Sequence, residues 1–319
     1  MSCRKNRIAE TPITSELIDS PTVDVNCNFP ESQSQFGYSF YEVGNQYYNP
    51  ISSGNGIYTK FFNSNTNMEG IALINDSNKV QIISNRKAAS KISCSTTGLL
   101  WTDYLTRETK LYSFFNNSDA VFENSPNREI SNLCFNRNGT KFMYMCKMRD
   151  DITKTLLIIR DISFNELDSF RVNDFVPEAW YNLVWINDDV IAMSFYNPVE
   201  ETIGIHYLNI KTKKLLTPYV TPFTAQKFAI TSVLWSSINQ SLYFCDGFAI
   251  SKIPYPGSAR TISFNSCDTL TLLSLSSSAG TKAFAEIVTR KKKSEIRIEE
   301  KHSIYTIDFV SKKISPYLD

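Results

Sequence analysis

The sequence lacks any run of about 18 or more apolar residues, which leaves no membrane-spanning helix to consider. It also lacks a charge surplus: 33 basic residues face 32 acidic ones, for a formal net charge of +1. A chain this close to neutrality is not, as a whole, an electrostatic partner for nucleic acid or an anionic membrane, so any such contact must come from a local patch. Histidine is nearly missing, with His206 and His302 alone, and no HExxH, His-x-His or G-x-S-x-G occurs. Neither a histidine-based triad nor a zinc site is therefore spelled out. Cysteine numbers seven (3, 27, 94, 134, 146, 245 and 267), an odd and scattered set without a CxxC pair. That pattern suits thiols acting as small core hydrophobes in a reducing compartment, and the expectation is a cytoplasmic protein. The beginning, "MSCRKNRIAETPITSELIDSP", carries basic residues but no apolar stretch behind them, unlike a signal peptide. Cys3 keeps a second location open: in a trimmed chain it would be a lipid attachment site of a periplasmic or outer-membrane lipoprotein. Among the 11 glycines, "SSGNGIYTK" (52–60) is the nearest approach to a phosphate loop, but it leads into a predicted strand and not a helix. No cofactor is expected. No amphipathic helix of three turns is legible either, which argues against an α/β fold.

What is present is rhythm. Hydrophobic residues make up 42% of the chain and aromatics 13%, enough for a sizeable core. In "ISNLCFNRNGTKF" the apolar residues fall at Ile130, Leu133 and Phe135, followed by a polar turn at Asn138-Gly139 and then Phe142. The same spacing recurs at Trp180, Leu183 and Trp185, at Ile230, Val233 and Trp235, and at Leu270, Leu273 and Leu275. A weaker copy ends at Cys94 and the faintest at Tyr48. These anchors repeat about every 45 residues, close to the spacing of propeller blades.

Each anchor leads through a short turn into a second apolar strand: Gly98 into "LLWTDYL", Gly139 into "KFMYMC", Gly280 into "KAFAEIV". In the other two strong copies, Asn187-Asp188-Asp189 and Ile238-Asn239-Gln240 make the turn. The second halves repeat as well. "TIGIHYLNIKTKK" (202–214), "KHSIYTIDFVSKK" (301–313) and "KTLLIIRDISFNE" (154–166) each read as two further strands joined at an Asn or Asp. Four strands in each of six units predict an all-β, six-bladed β-propeller of four-stranded antiparallel blades over residues 39–319. Residues 1–38, rich in Ser, Thr, Asn and Pro, read as a polar flexible leader, with "QFGYSFYEV" (35–43) as a strand that joins the last blade and covers its open edge. Phe135, Trp185 and Trp235 are expected to supply most of the volume between blades.

"ISNLCFNRNGTKFMYM" resembles the opening hairpin of a TolB-like or WD40-like propeller blade. The turn reads Asn136-Arg137-Asn138-Gly139-Thr140-Lys141, without the proline of that pattern. No Trp-Asp dipeptide closes the third strands and no Gly-His opens the blades. The resemblance implies the ring and, through the TolB-like group, the lipoprotein alternative.

Little chemistry stands out. His206 and His302 read as sheet-face or rim residues. Asp150-Asp151 and Asp188-Asp189 read as hydrated turns, since neighbours in a turn point apart. "CSTTGLLW" (94–101) has the glycine and tryptophan of a sialidase Asp-box, but Thr96 stands in place of the acid, which leaves an ordinary blade turn. The most distinctive stretch is "TRKKKSEIRIEEKH" (289–302), an extended hairpin whose tip carries Arg290, Lys291, Lys292 and Lys293. Such a tip must be solvated, and it either touches an acidic partner or discourages edge-to-edge pairing. Without interleaved aromatics it gives no specific nucleic-acid signal. Loops ahead of each first strand form the second candidate surface, including Pro177, Glu178, Gln226 and Lys227. The leading expectation is a non-enzymatic scaffold that binds another protein. The alternative is a hydrolase acting on sugars at the channel mouth, which needs two carboxylates about 5–10 Å apart.

Overall fold

The computed structural model describes residues 39–318 apart from 43–44, 54–55, 76, 78, 90–91, 126, 150–154, 172–178, 224–229, 231, 247–248, 266–268, 277–281, 295–296 and 312. Among the described residues every regular element is a strand. After a short β1 (Ser39–Glu42), the first blade consists of β2 (Asn45–Ser53), β3 (Gly56–Asn63), β4 (Met68–Ile74) and β5 (Val80–Ser84). The second comprises β6 (Ser93–Cys94), β7 (Gly98–Thr102), β8 (Thr109–Ser113) and β9 (Ser118–Glu123). The third follows with β10 (Arg128–Phe135), β11 (Lys141–Met148), β12 (Thr155–Asp161) and β13 (Glu166–Arg171). The fourth is β14 (Ala179–Asn187), β15 (Val190–Asn197), β16 (Thr202–Asn209) and β17 (Lys214–Pro222). β18 (Ser232–Ser236), β19 (Ser241–Cys245), β20 (Ala249–Pro254) and β21 (Thr261–Asn265) form the fifth. The sixth is β22 (Thr269–Ser276), β23 (Lys282–Ser294), β24 (Arg297–Asp308) and β25 (Lys313–Leu318). Within every blade, consecutive strands pair antiparallel. The first strands touch their neighbours all the way around, and β22 meets β2 to complete the ring. The fold is a six-bladed β-propeller.

The odd spacing of the repeat has a local cause. A β-bulge between Ser131 and Cys134 adds one residue to β10, with Asn132 at φ 53°. The extra residue turns an interval of three into one that keeps Ile130, Leu133 and Phe135 on the same side, facing the second blade. Comparable bulges interrupt β2, β14 and β22. In the first blade the bulge lies between Tyr48 and Ile51, so Ser52, and not the expected Tyr48, stands where Phe135 stands in the third. A serine at that position explains why this copy of the repeat is faint.

Six apolar clusters fill the six gaps between blades. Second strands are buried on both faces and divide their side chains between two gaps. On β11, Phe142, Tyr144 and Cys146 face the second blade while Met143 and Met145 face the fourth. This corrects the expectation about volume. Phe135 and Trp185 are buried, but the largest fully enclosed side chains include Trp101, Tyr144, Phe142 and Phe244, all on second strands, and Trp235 is only partly covered. The second strand has a sheet partner on either side and a blade above and below, so it excludes water most completely. Burial of each such side chain stabilises the fold by about 1.5–3 kcal/mol.

Ring closure combines packing with one added strand. Tyr47, Ile57, Phe61, Ala72, Ile74 and Ile304 fill the seam between the sixth and first blades. β1 does join the last blade, in parallel with β24 from Ser39↔Arg297 to Glu42↔Glu300. It does not replace the fourth strand, however. β25 takes that place along Ile304 to Asp308, and β1 lies beyond it on the same edge of β24.

Candidate functional site on the upper face

First strands all start from one face of the ring, here called the upper face, and second strands return to it. At the seam between the last and first blades this face is unlike the rest. β23 and β24 run 13 and 12 residues, against 5 to 8 for the second and third strands of the other blades. Their ladder continues to Ser294↔Arg297, and with β1 alongside, the hairpin becomes a three-stranded ledge.

Polar side chains converge at its base. Between the β1 ladder, which ends at Glu300, and the β25 ladder, which begins at Ile304, the His302 N–H donates to Gln46 Oε1 at 2.6 Å. Gln46 itself is fully buried. His302 Nδ1 donates to Glu286 Oε1 at 2.7 Å, and Glu286 is buried. The His302 ring leans on Tyr48, with centroids 4.5 Å apart and planes at 46°. Tyr48 in turn lines a cavity of about 280 Å³ together with Lys60, Phe62, Glu69 and Lys87. Lys87 Nζ is 3.0 Å from Glu69 Oε2. Burial pulls the Lys60 ammonium below its ordinary pKa of 10.5; Glu286 and Glu69 oppose that shift and Lys87 adds to it.

The basic run Arg290 to Lys293 lies on the β23 limb of the ledge. Backbone register sets Arg290 opposite Glu300 and Lys291 opposite Glu299. Over residues 289–302 six basic residues stand against three acidic ones, so the finger keeps a positive excess. Pro177, Glu178, Gln226, Lys227, Cys3 and the Asp150-Asp151 doublet lie outside the described residues.

The other candidates resolve as structural groups. His206 is buried on β16, with Nδ1 2.7 Å from Thr217 Oγ1 and its ring stacked on Phe195 at 4.0 Å. Burial lowers its pKa to about 4. Asp189 pairs with Lys211 at 2.8 Å in an exposed turn. Within "CSTTGLLW", Gly98 to Trp101 are buried blade residues of β7. Among the described residues, no group of three or more His, Cys, Asp and Glu side chains is arranged to hold a metal ion. Sequence reasoning missed two buried pairs. One is Glu286–His302. The other is Asp246–Arg260 at 2.7 Å, where Asp246 also accepts from the Tyr219 hydroxyl at 3.1 Å. The available signal in each case was an acid inside or at the end of an apolar strand, a position that demands a partner.

No protein-family model matches the chain, and no curated protein matches it. Solved structures do share its fold. A chain of the nidogen/laminin complex superposes with a TM-score of 0.56 at 8% identity, covering 85% of this chain and 92% of that one. Oligogalacturonate lyase from Vibrio parahaemolyticus gives 0.54 at 10% identity, covering 87% and 78%. The β-propeller domain of the Trilobed protease from Pyrococcus furiosus, described as having an open velcro topology, gives 0.50 at 14% identity, covering 86% and 84%. At such identities the likeness concerns the fold alone.

Proposed function

We propose that the chain is a protein-binding propeller whose upper face, at the seam between its last and first blades, receives an acidic segment of its partner. One observation carries this reading: the lengthened β23–β24 hairpin, buttressed by β1, holds the Arg290–Lys293 run on a paired strand instead of a loop. A ladder on both sides of β24 lowers the entropy lost when a partner docks, which favours affinity. Opposed glutamates offset only part of the charge. The test is a variant with Arg290, Lys291, Lys292 and Lys293 all changed to Gln, titrated against an acidic peptide at several salt concentrations. Binding falls at least about tenfold and loses most of its salt dependence, with thermal stability nearly unchanged. Equal affinity for the variant and the parent would falsify the reading.

A second reading, a hydrolase acting on sugars, is favoured by the Glu286–His302 pair beside a cavity, because such a pair can hold and pass a proton. Hydrolysis of an aryl glycoside that disappears in Glu286→Gln supports it, whereas no turnover across a panel of such substrates retires it.

A further inference from the structure

Where it extends past the blade, the β23–β24 hairpin has two edges, and the chain covers one of them. β1 runs beside β24 from Ser39↔Arg297 to Glu42↔Glu300. On the other side, β22 accompanies β23 only as far as Thr269↔Val288. In that register Lys292 would need Asn265 opposite it, but Asn265 belongs to β21 and pairs with Ala249 in the fifth blade. Among the described residues, no strand lies beside this edge of β23 over residues 289–294.

One hydrogen bond fixes which backbone groups face that gap. His302 turns its N–H away from β23, toward Gln46 Oε1. Along an antiparallel strand, residues direct their N–H and C=O groups alternately to one neighbour and to the other. The register runs His302↔Val288, Lys301↔Thr289, Glu300↔Arg290, Glu299↔Lys291 and Ile298↔Lys292, so Thr289 and Lys291 bond to β24. Arg290 and Lys292 direct their N–H and C=O groups outward, and no backbone partner meets them among the described residues. Unpaired edge groups of this kind are a template for a further strand. Positions 290 to 293 are all basic, so a second copy of the same edge is repelled and an acidic strand is attracted.

We propose, resting on the docking reading above, that the partner's acidic segment binds as an added β-strand along residues 289–293, hydrogen bonded to the backbone of Arg290 and Lys292. Main-chain bonds then supply affinity, and the basic run selects the partner. The probe is a blocked eight-residue peptide of alternating glutamate and threonine, added to the full chain. At ten times its Kd, amide exchange at Arg290 and Lys292 slows about tenfold, while Lys291, paired in both states, changes little. Lys292→Gln and Lys292→Pro lose the same charge, but only the proline also loses the outward N–H, at an edge position that tolerates it. The Pro variant binds the peptide about fivefold more weakly than the Gln variant, the worth of one hydrogen bond. If the Pro variant does not fold, amide exchange in the unmodified chain decides alone. Peptide binding that leaves the Arg290 and Lys292 amides unprotected overturns the added strand while the docking reading stands. No binding of the peptide overturns both. Protection that grows with chain concentration in the absence of peptide assigns the edge to a second copy and overturns the acidic strand.

Discussion

His206 provides a sharp test of how the blade interior treats a titratable group. The residue is 5% exposed, pressed against Phe195 and hydrogen bonded to Thr217. Burial lowers its pKa from 6.5 to about 4, so the folded chain keeps it neutral where the unfolded chain protonates it. Between those two values the unfolded state binds more protons, and stability must fall as the pH falls. The contribution is fully present above pH 6.5, declines through the window, and is gone below pH 4. At about 1.4 kcal/mol per pH unit, the whole effect comes to about 3 kcal/mol. Urea unfolding of the parent and of His206→Gln at pH 7, 5.5 and 4 isolates it, since other groups titrate in both proteins and cancel. Asp103 is one such group. Its own burial is outweighed by hydrogen bonds from the Thr106 and Leu105 N–H groups and from Arg86, which hold it below the usual carboxylate range. The stability advantage of the parent over the variant shrinks by about 3 kcal/mol from pH 7 to pH 4, with about 1.4 kcal/mol lost already at pH 5.5. An advantage that stays constant across the series refutes the argument, because a histidine free to ionise in place carries no such penalty.

Two further substitutions probe the packing. Trp101→Ala costs about 3–5 kcal/mol in denaturant unfolding, and Trp235→Ala about half as much, because the first is fully enclosed and the second only partly; a larger loss at Trp235 overturns that ranking. Gly204→Ala would drive a methyl group into the Tyr219 carbonyl and the edge of the Phe195 ring, costing about 1–3 kcal/mol. A melting temperature unchanged by Gly204→Ala would mean that the fourth blade has room the structure does not show.

The architecture was legible because it is periodic. Ile130, Leu133 and Phe135 share a face only through a bulge, and the irregular interval that the bulge produces recurs often enough to serve as a marker. The marker overstates the residues that carry it. Tryptophans make the anchors conspicuous, yet Phe142, Tyr144 and Phe244 sit in runs so uniformly apolar that no single residue stands out. In the first blade the pattern points to Tyr48 because Ser52, the true equivalent, has no bulk to announce it.

The seam was illegible for a different reason. A repeat compares each residue with its counterpart in the next blade, whereas ring closure joins the two ends of the chain. Gln46 and His302 meet across 256 positions. No local pattern links them, and Lys60 and Glu286 come into electrostatic range in the same way. A weaker signal was nonetheless present. "GIYTKFF" and "KAFAEIV" each place a charged residue, Lys60 or Glu286, in the interior of a largely apolar strand. In a second strand, buried on both faces, such a residue cannot turn to solvent without a register slip that would expose all its neighbours. Lys60 and Glu286 occupy second strands of the first and last blades, the two that the ring must bring side by side. Opposite charges on those strands thus mark the closing seam, where burial lowers the pKa of Lys60 and the Glu286 carboxylate opposes that shift.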